Sequence, residues 1–92
     1  MKKKIQLSRV RAKAIRCLQK GSYRLADPHV KEQMKTRDVV INDLFSVVLC
    51  EDAVIEEQWE GKPPETRYAF ETDRFRVIVT FESPNRLVFI TV

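Results

Sequence analysis

The spacing of apolar residues changes once along this chain, from a helical period to a period of two. Val10, Ala14, Ile15 and Leu18 recur at helical spacing. Ser8 precedes them as a suitable N-cap, and Gly21 follows as a natural residue just past a helix end. A first helix is therefore predicted from near Ser8 to Gly21. Residues 22–26 read as a linker. Asp27 is a good N-cap and Pro28 suits a first helical position, so a second helix runs to about Arg37 with Val30 and Met34 inward. Val39, Val40 and Ile41 are β-branched and read as an extended connector. Asn42 then caps a third helix over 42–50, burying Leu44, Phe45, Val48 and Leu49.

Past residue 53 alternation takes over. Val54–Trp59 places Ile55, Glu57 and Trp59 on one face, and Arg67–Glu71 places Tyr68 and Phe70 together. The Gly61-Lys62-Pro63-Pro64-Glu65 segment separates these strands. A turn at Thr72-Asp73 leads to Arg74–Phe81, where Phe75, Val77, Val79 and Phe81 share a face opposite Arg76, Ile78 and Thr80. Ser83-Pro84-Asn85 is a turn signal. Leu87–Val92 is apolar on both faces, as a central strand is. Short connections imply an antiparallel meander. The expected class is α+β, two to three N-terminal helices packed on a four-stranded antiparallel sheet, in one domain over 1–92.

Charge divides the chain differently. Residues 1–26 hold nine basic side chains (Lys2, Lys3, Lys4, Arg9, Arg11, Lys13, Arg16, Lys20 and Arg24) and no acidic one. The remaining 66 residues hold eight basic and thirteen acidic side chains, a net of −5. Arg9, Lys13, Arg16 and Lys20 fall opposite the apolar stripe of the first helix. Such a segment is an electrostatic footprint for a polyanion, through release of counterions from phosphates. It equally suits an acidic protein partner, or serves only as a solvated face. Lys2, Lys3, Lys4, Arg9, Arg11, Lys13, Arg16 and Lys20 are the nucleic-acid-binding candidates, with Arg67 and Arg76 on the strands.

No apolar run approaches the length of a membrane span, and Met1-Lys2-Lys3-Lys4 is not followed by the apolar stretch of a secretory signal. Cys17 and Cys50 have no metal-ligand spacing and read as free thiols of a reducing cytoplasm. A lone histidine without a cysteine pair makes a catalytic metal unexpected, and no cofactor motif is present. Glu56, Glu57 and Glu60 read as charges that protect a strand edge.

The only histidine, His29, lies in the first turn of the second helix, where the helix dipole disfavours imidazolium. Gln33 and Arg37 follow at i+4 and i+8. Either His29 and Arg37 form a phosphate-handling pair, or both lie on a solvated face. The run from Ile15 to Leu49, with Gly21, Pro28-His29, Met34, Arg37 and Asp43-Leu44, and the tail Phe89-Ile90-Thr91-Val92, resembles a family of small uncharacterised bacterial domains. Their pattern is His-x-x-x-Arg-Met-x-x-Arg and an apolar-Thr-Val tail. That family is grouped with RelE-like and BrnT-like ribonuclease toxins. Gln33 departs from it, standing where the pattern has its first arginine.

The resemblance implies metal-free RNA cleavage by the toxin half of a toxin–antitoxin pair, with an acidic antitoxin as partner. Such chemistry needs an acid, a base and cations around the phosphorus. His29 is the acid or base, Arg37 holds the phosphate, Tyr68 stacks or donates a proton, and Thr91 positions the phosphate. The other expectation is a non-catalytic module that binds nucleic acid or a partner protein through its basic helix.

Overall fold

The computed structural model describes residues 2–26, 28–58, 66–82 and 85–92, with the backbone alone for 2–6 and 58. Three helices and five strands follow in the order α1 (Lys2–Gln19), β1 (Tyr23–Leu25), α2 (His29–Arg37), α3 (Ile41–Leu49), β2 (Val54–Gln58), β3 (Arg67–Glu71), β4 (Arg76–Glu82) and β5 (Arg86–Thr91). The strands form one sheet in the order β1-β5-β4-β3-β2. The class is α+β.

The first helix starts earlier than Ser8, which lies inside it and is exposed. The preceding residues are good helix formers, and Leu7 extends the apolar stripe one turn back from Val10. Val10, Ala14 and Cys17 are the buried residues of α1, with Leu7, Ile15 and Leu18 packed partly against the core. The helix ends as its glycine predicts. Gly21 has a φ of +70°, its N–H donates to the Leu18 carbonyl at 3.1 Å, and the Ser22 N–H donates to the Cys17 carbonyl at 2.8 Å. This paired closure is a Schellman motif.

Helix α2 ends the same way around Asp38, which adopts a φ of 55°, a conformation aspartate tolerates better than most residues. Pro28 has helical dihedrals just before it, and Val30 is the fully buried residue of the helix. The Asp27 cap lies outside the described residues.

Helix α3 begins at Ile41 rather than behind an Asn42 cap. Val40 is the extended cap residue, and its N–H donates to the Asp43 carboxylate at 2.9 Å. Only Val39 and Val40 remain as connector. Leu44, Val47 and Val48 are buried, but Leu49 is 49% exposed. One residue beyond Val48 turns it about 100° further round the helix, away from the sheet.

The sheet is five-stranded and mixed rather than four-stranded and antiparallel. β2, β3, β4 and β5 pair antiparallel in sequence, and β1 adds in parallel at the outer side of β5. The segment 22–26 is thus mostly strand, not linker. Ser22 and Ala26 extend the ladder, through Leu87 N–H to Ser22 at 3.0 Å and Ala26 N–H to Phe89 at 3.0 Å. With neighbours on both sides, β5 buries Leu87, Val88 and Phe89 in succession.

The helices meet one face of the sheet through a single core that includes Ile55, Phe70, Val77, Val79, Leu87 and Phe89. Phe75 and Phe81 are partly buried against it, as the alternation of β4 requires. The turn before β4 is longer than Thr72-Asp73. Thr72 donates its N–H to the Phe75 carbonyl at 2.9 Å, and its hydroxyl accepts the N–H groups of Arg74 and Phe75 at 3.2 Å each. Trp59, the 61–65 segment and Ser83-Pro84 lie outside the described residues.

Candidate nucleic-acid interface and arginine cleft

The helical period that buries Val10, Ala14 and Cys17 turns Arg9, Lys13, Arg16 and Lys20 outward, and all four are exposed. Their spacing of four, three and four residues makes a single stripe along α1. The Lys13 ammonium sits over the Phe81 ring, 4.6 Å from its centroid. Lys13, Arg16 and Lys20 line a small cavity of about 100 Å³ with Cys17 and Asn85. The Asn85 carbonyl there accepts the Ser22 hydroxyl at 2.7 Å and the Cys17 thiol at 3.5 Å. Both cysteines are free thiols.

Arg11 is different. Its guanidinium reaches inward to the Ala53 carbonyl, tying α1 to the connection between α3 and β2, and its Nε is buried with no hydrogen-bond partner. Its side chain serves the fold, so the exposed stripe has three cations from the described part of α1, continued by Lys20 just past its end. Lys2, Lys3 and Lys4 lie in α1, but their side chains are outside the described residues.

A second cationic site lies at the opposite end of the sheet. Arg37, Val39, Arg74, Phe75, Arg76, Ile78, Thr91 and Val92 line a cleft of about 500 Å³. Phe81 lies five residue steps along β4 from Arg76, so cleft and stripe stand about 17 Å apart. Three elements deliver the arginines: Arg37 ends α2, Arg74 belongs to the turn held by Thr72, and Arg76 opens β4.

An irregularity in β5 supplies the hydroxyl. Val79 faces Phe89 and Ile78 faces Thr91, which leaves Ile90 as an extra residue. This bulge moves Thr91 to the face of Ile78, where regular pairing would have put it opposite Val77 on the core face.

Gln33 and Arg37 have a shared task. The Val92 N–H donates to the Gln33 side-chain oxygen at 3.2 Å, and the Arg37 guanidinium donates to the Val92 main-chain oxygen. Gln33 therefore supplies an acceptor that an arginine lacks. A guanidinium has five N–H donors, and the bond to Val92 uses one.

Arg37, Arg76 and Thr91 come together in this cleft, and Arg74 joins them without having been anticipated. The Arg-Phe-Arg run at 74–76 was its only signal in the sequence. His29 does not join them. It is exposed at the first residue of α2, eight residues from Arg37, which is about 12 Å of helical rise.

Tyr68 is also elsewhere, half-buried on the helix-facing side of β3 and packed edge-on against Phe81 at 6.0 Å. Burial, and then the Glu57 carboxylate on the neighbouring strand, hold its phenol above the usual value of 10.0. That makes it a poorer proton donor. A raised folded-state pKa stabilises the fold below the unfolded value and loses that contribution as pH rises through the folded one. Thermal melts between pH 8 and pH 11 are expected to fall more steeply for the native chain than for Tyr68→Phe. Parallel curves would contradict this assignment.

Arg67 lies on the open face of the sheet, in a groove of about 390 Å³ with Arg24, Thr80, Glu82, Val88 and Ile90. There Glu82 accepts Arg24 Nε at 3.0 Å and Arg86 at 3.2 Å. The Arg24 hydrogen bond, then the charges of Arg24 and Arg86, lower the Glu82 carboxyl pKa. Glu56 and Glu57 lie on the edge strand β2, while Glu60 is outside the described residues. Among the described residues, no group of three acidic, histidine or cysteine side chains is placed to hold a metal ion, and no helix is long and apolar enough to cross a membrane.

No family model matches this chain, and no curated protein or solved structure matches it. The chain has a small α+β fold that carries two groups of cations, the α1 stripe and the arginine cleft.

Proposed function

We propose that the chain is a nucleic-acid-binding module that holds RNA against the outer face of α1. The observation that carries this reading is the stripe of Arg9, Lys13, Arg16 and Lys20, all exposed, in a segment of 26 residues without one acidic side chain. Four cations along one face track a phosphate backbone and release its counterions. Val10, Ala14 and Cys17 of α1 are committed to the core, so the helix is fixed while its cations face outward. Titration of labelled single-stranded RNA at low and moderate salt tests the reading. Binding should weaken steeply with salt; absent or salt-insensitive binding would contradict it.

A second reading is metal-free RNA cleavage of the RelE/BrnT toxin type. It is supported by the meeting of Arg37, Arg76 and Thr91 in one cleft, which supplies cations and a hydroxyl for a phosphoryl group. An acidic antitoxin would then cover the basic helix. The distance of His29 and Tyr68 from the cleft weighs against it, because no anticipated acid or base lines the site. RNA incubated in chelator with the native chain and with His29→Ala separates the readings. The binding module predicts no cleavage by either. Cleavage that disappears in a folded His29→Ala chain would establish the toxin type instead.

A further inference from the structure

We infer that the cleft between the end of α2 and the turn before β4 binds a nucleotide, phosphate against the arginines and base against the apolar wall. Arg37, Arg74 and Arg76 arrive from three separate elements, and Thr91, paired with Ile78 of β4, lines the same cleft. Three guanidinium groups around one opening suit a phosphoryl dianion, which accepts charge-assisted hydrogen bonds from several directions. Their mounts are firm. Arg37 is anchored on Val92, and the Thr72 hydroxyl fixes the backbone of Arg74 and Phe75.

Glu71, the α2 dipole and the Val92 main-chain oxygen, which already takes a donor from Arg37, all oppose an anion there, against three cations. Glu71 stands 3.6 Å from Arg76 in an exposed pair, a contact of small energy. The negative end of the α2 dipole also points this way, although the Asp38 and Val39 N–H groups satisfy two of its last carbonyls, those of Lys35 and Met34.

The apolar half of the cleft determines the rest of the ligand. Val39, Phe75, Ile78 and Val92 form its wall. The Arg74 guanidinium lies over the Phe75 ring, 5.5 Å from its centroid, so it covers one face of that ring and offers its own outer plane for a base to stack on. A volume of about 500 Å³ falls within the range of small-molecule sites and far exceeds a bare phosphate. The ligand class is therefore a phosphorylated aromatic, a nucleoside monophosphate or the 5′-phosphorylated end of an RNA strand.

This site is independent of the α1 stripe. It shares Arg37, Arg76 and Thr91 with the cleavage reading but requires no bond to break.

The test is titration of the isotope-labelled chain with 5′-AMP, adenosine and inorganic phosphate, followed by amide shifts. 5′-AMP should perturb residues 74–78 and 91–92 and bind at least about tenfold more tightly than adenosine or phosphate alone. Arg74→Gln and Arg76→Gln alter exposed side chains and should each weaken 5′-AMP about tenfold with the circular dichroism unchanged. Replacing the four cations of the stripe should leave 5′-AMP binding intact, which separates a failure of this site from a failure of the RNA-binding face. Competition by a 5′-phosphorylated oligoribonucleotide, but not its 5′-hydroxyl form, would assign the site to strand ends; no competition would assign it to free nucleotides. The inference is overturned if 5′-AMP does not bind, if adenosine or phosphate binds equally well, or if both arginine variants bind 5′-AMP unchanged.

Discussion

Replacing Arg9, Lys13, Arg16 and Lys20 together with glutamine is expected to lower RNA affinity by about a hundredfold at low salt and to flatten its salt dependence. Each phosphate neutralised on a single strand contributes about 0.7 to the slope of log affinity against log salt, so four lost contacts remove roughly 2.8. Over a fourfold rise in salt, that slope alone weakens the native complex by about fiftyfold. The fold should survive. All four side chains are exposed, none of them is in the core, and glutamine is a good helix former. Among the described residues, the interaction lost is Lys13 over Phe81, an exposed cation–π contact worth about 0.5–1 kcal/mol. Fluorescence anisotropy across a salt series measures the effect. A variant that binds RNA with native affinity and native slope would remove α1 from the interface.

The largest stability effect is expected at Phe89. Its side chain is fully buried on β5, next to Val79 across β4 and Leu25 across β1. Phe89→Ala should cost about 3–5 kcal/mol, from lost transfer free energy together with the cavity left in the core. Strands on both sides, with helices above, leave little room for the site to collapse. A chain of 92 residues has a modest core, and this loss is a large fraction of ordinary domain stability. Urea denaturation should show a midpoint near zero denaturant or a chain unfolded at room temperature. A loss below about 1 kcal/mol would mean that the ring is not packed as described.

Local signals made much of this architecture legible. Gly21 marked the end of α1 because a left-handed closing residue has a specific chemistry. The alternation of Phe75, Val77, Val79 and Phe81 gave the core face of β4, and the two-sided apolar character of β5 gave its interior position. The failures share a cause, which is that the deciding partner lies far along the chain. Tyr23-Arg24-Leu25 is too short to carry a strand pattern and becomes one only because β5 offers an open side. Asp43, not Asn42, holds the start of α3 because its carboxylate reaches back to Val40.

The same division applies to the candidate sites. The exposed stripe of α1 follows from helical spacing alone. The cleft does not. Arg37 and Thr91 meet because an extra residue in β5 changes the face of Thr91, and no residue type in Phe89-Ile90-Thr91-Val92 announces a bulge. The role of Gln33 appears only once Val92 is beside it. Arg11, one of the nine cations of the first 26 residues, is claimed by a carbonyl on another connection. Periodicity places a side chain on a face of its own element; it does not say which element that face will meet.

The central claim is that RNA lies along the outer face of α1. Mapping amide shifts of the isotope-labelled chain during titration with a short single-stranded RNA tests it most directly. The account predicts perturbations concentrated at Arg9, Lys13, Arg16, Lys20 and neighbouring Asn85, fading as salt is raised. Shifts confined to the open sheet face around Arg67 and Thr80, or no shifts at all, would contradict it.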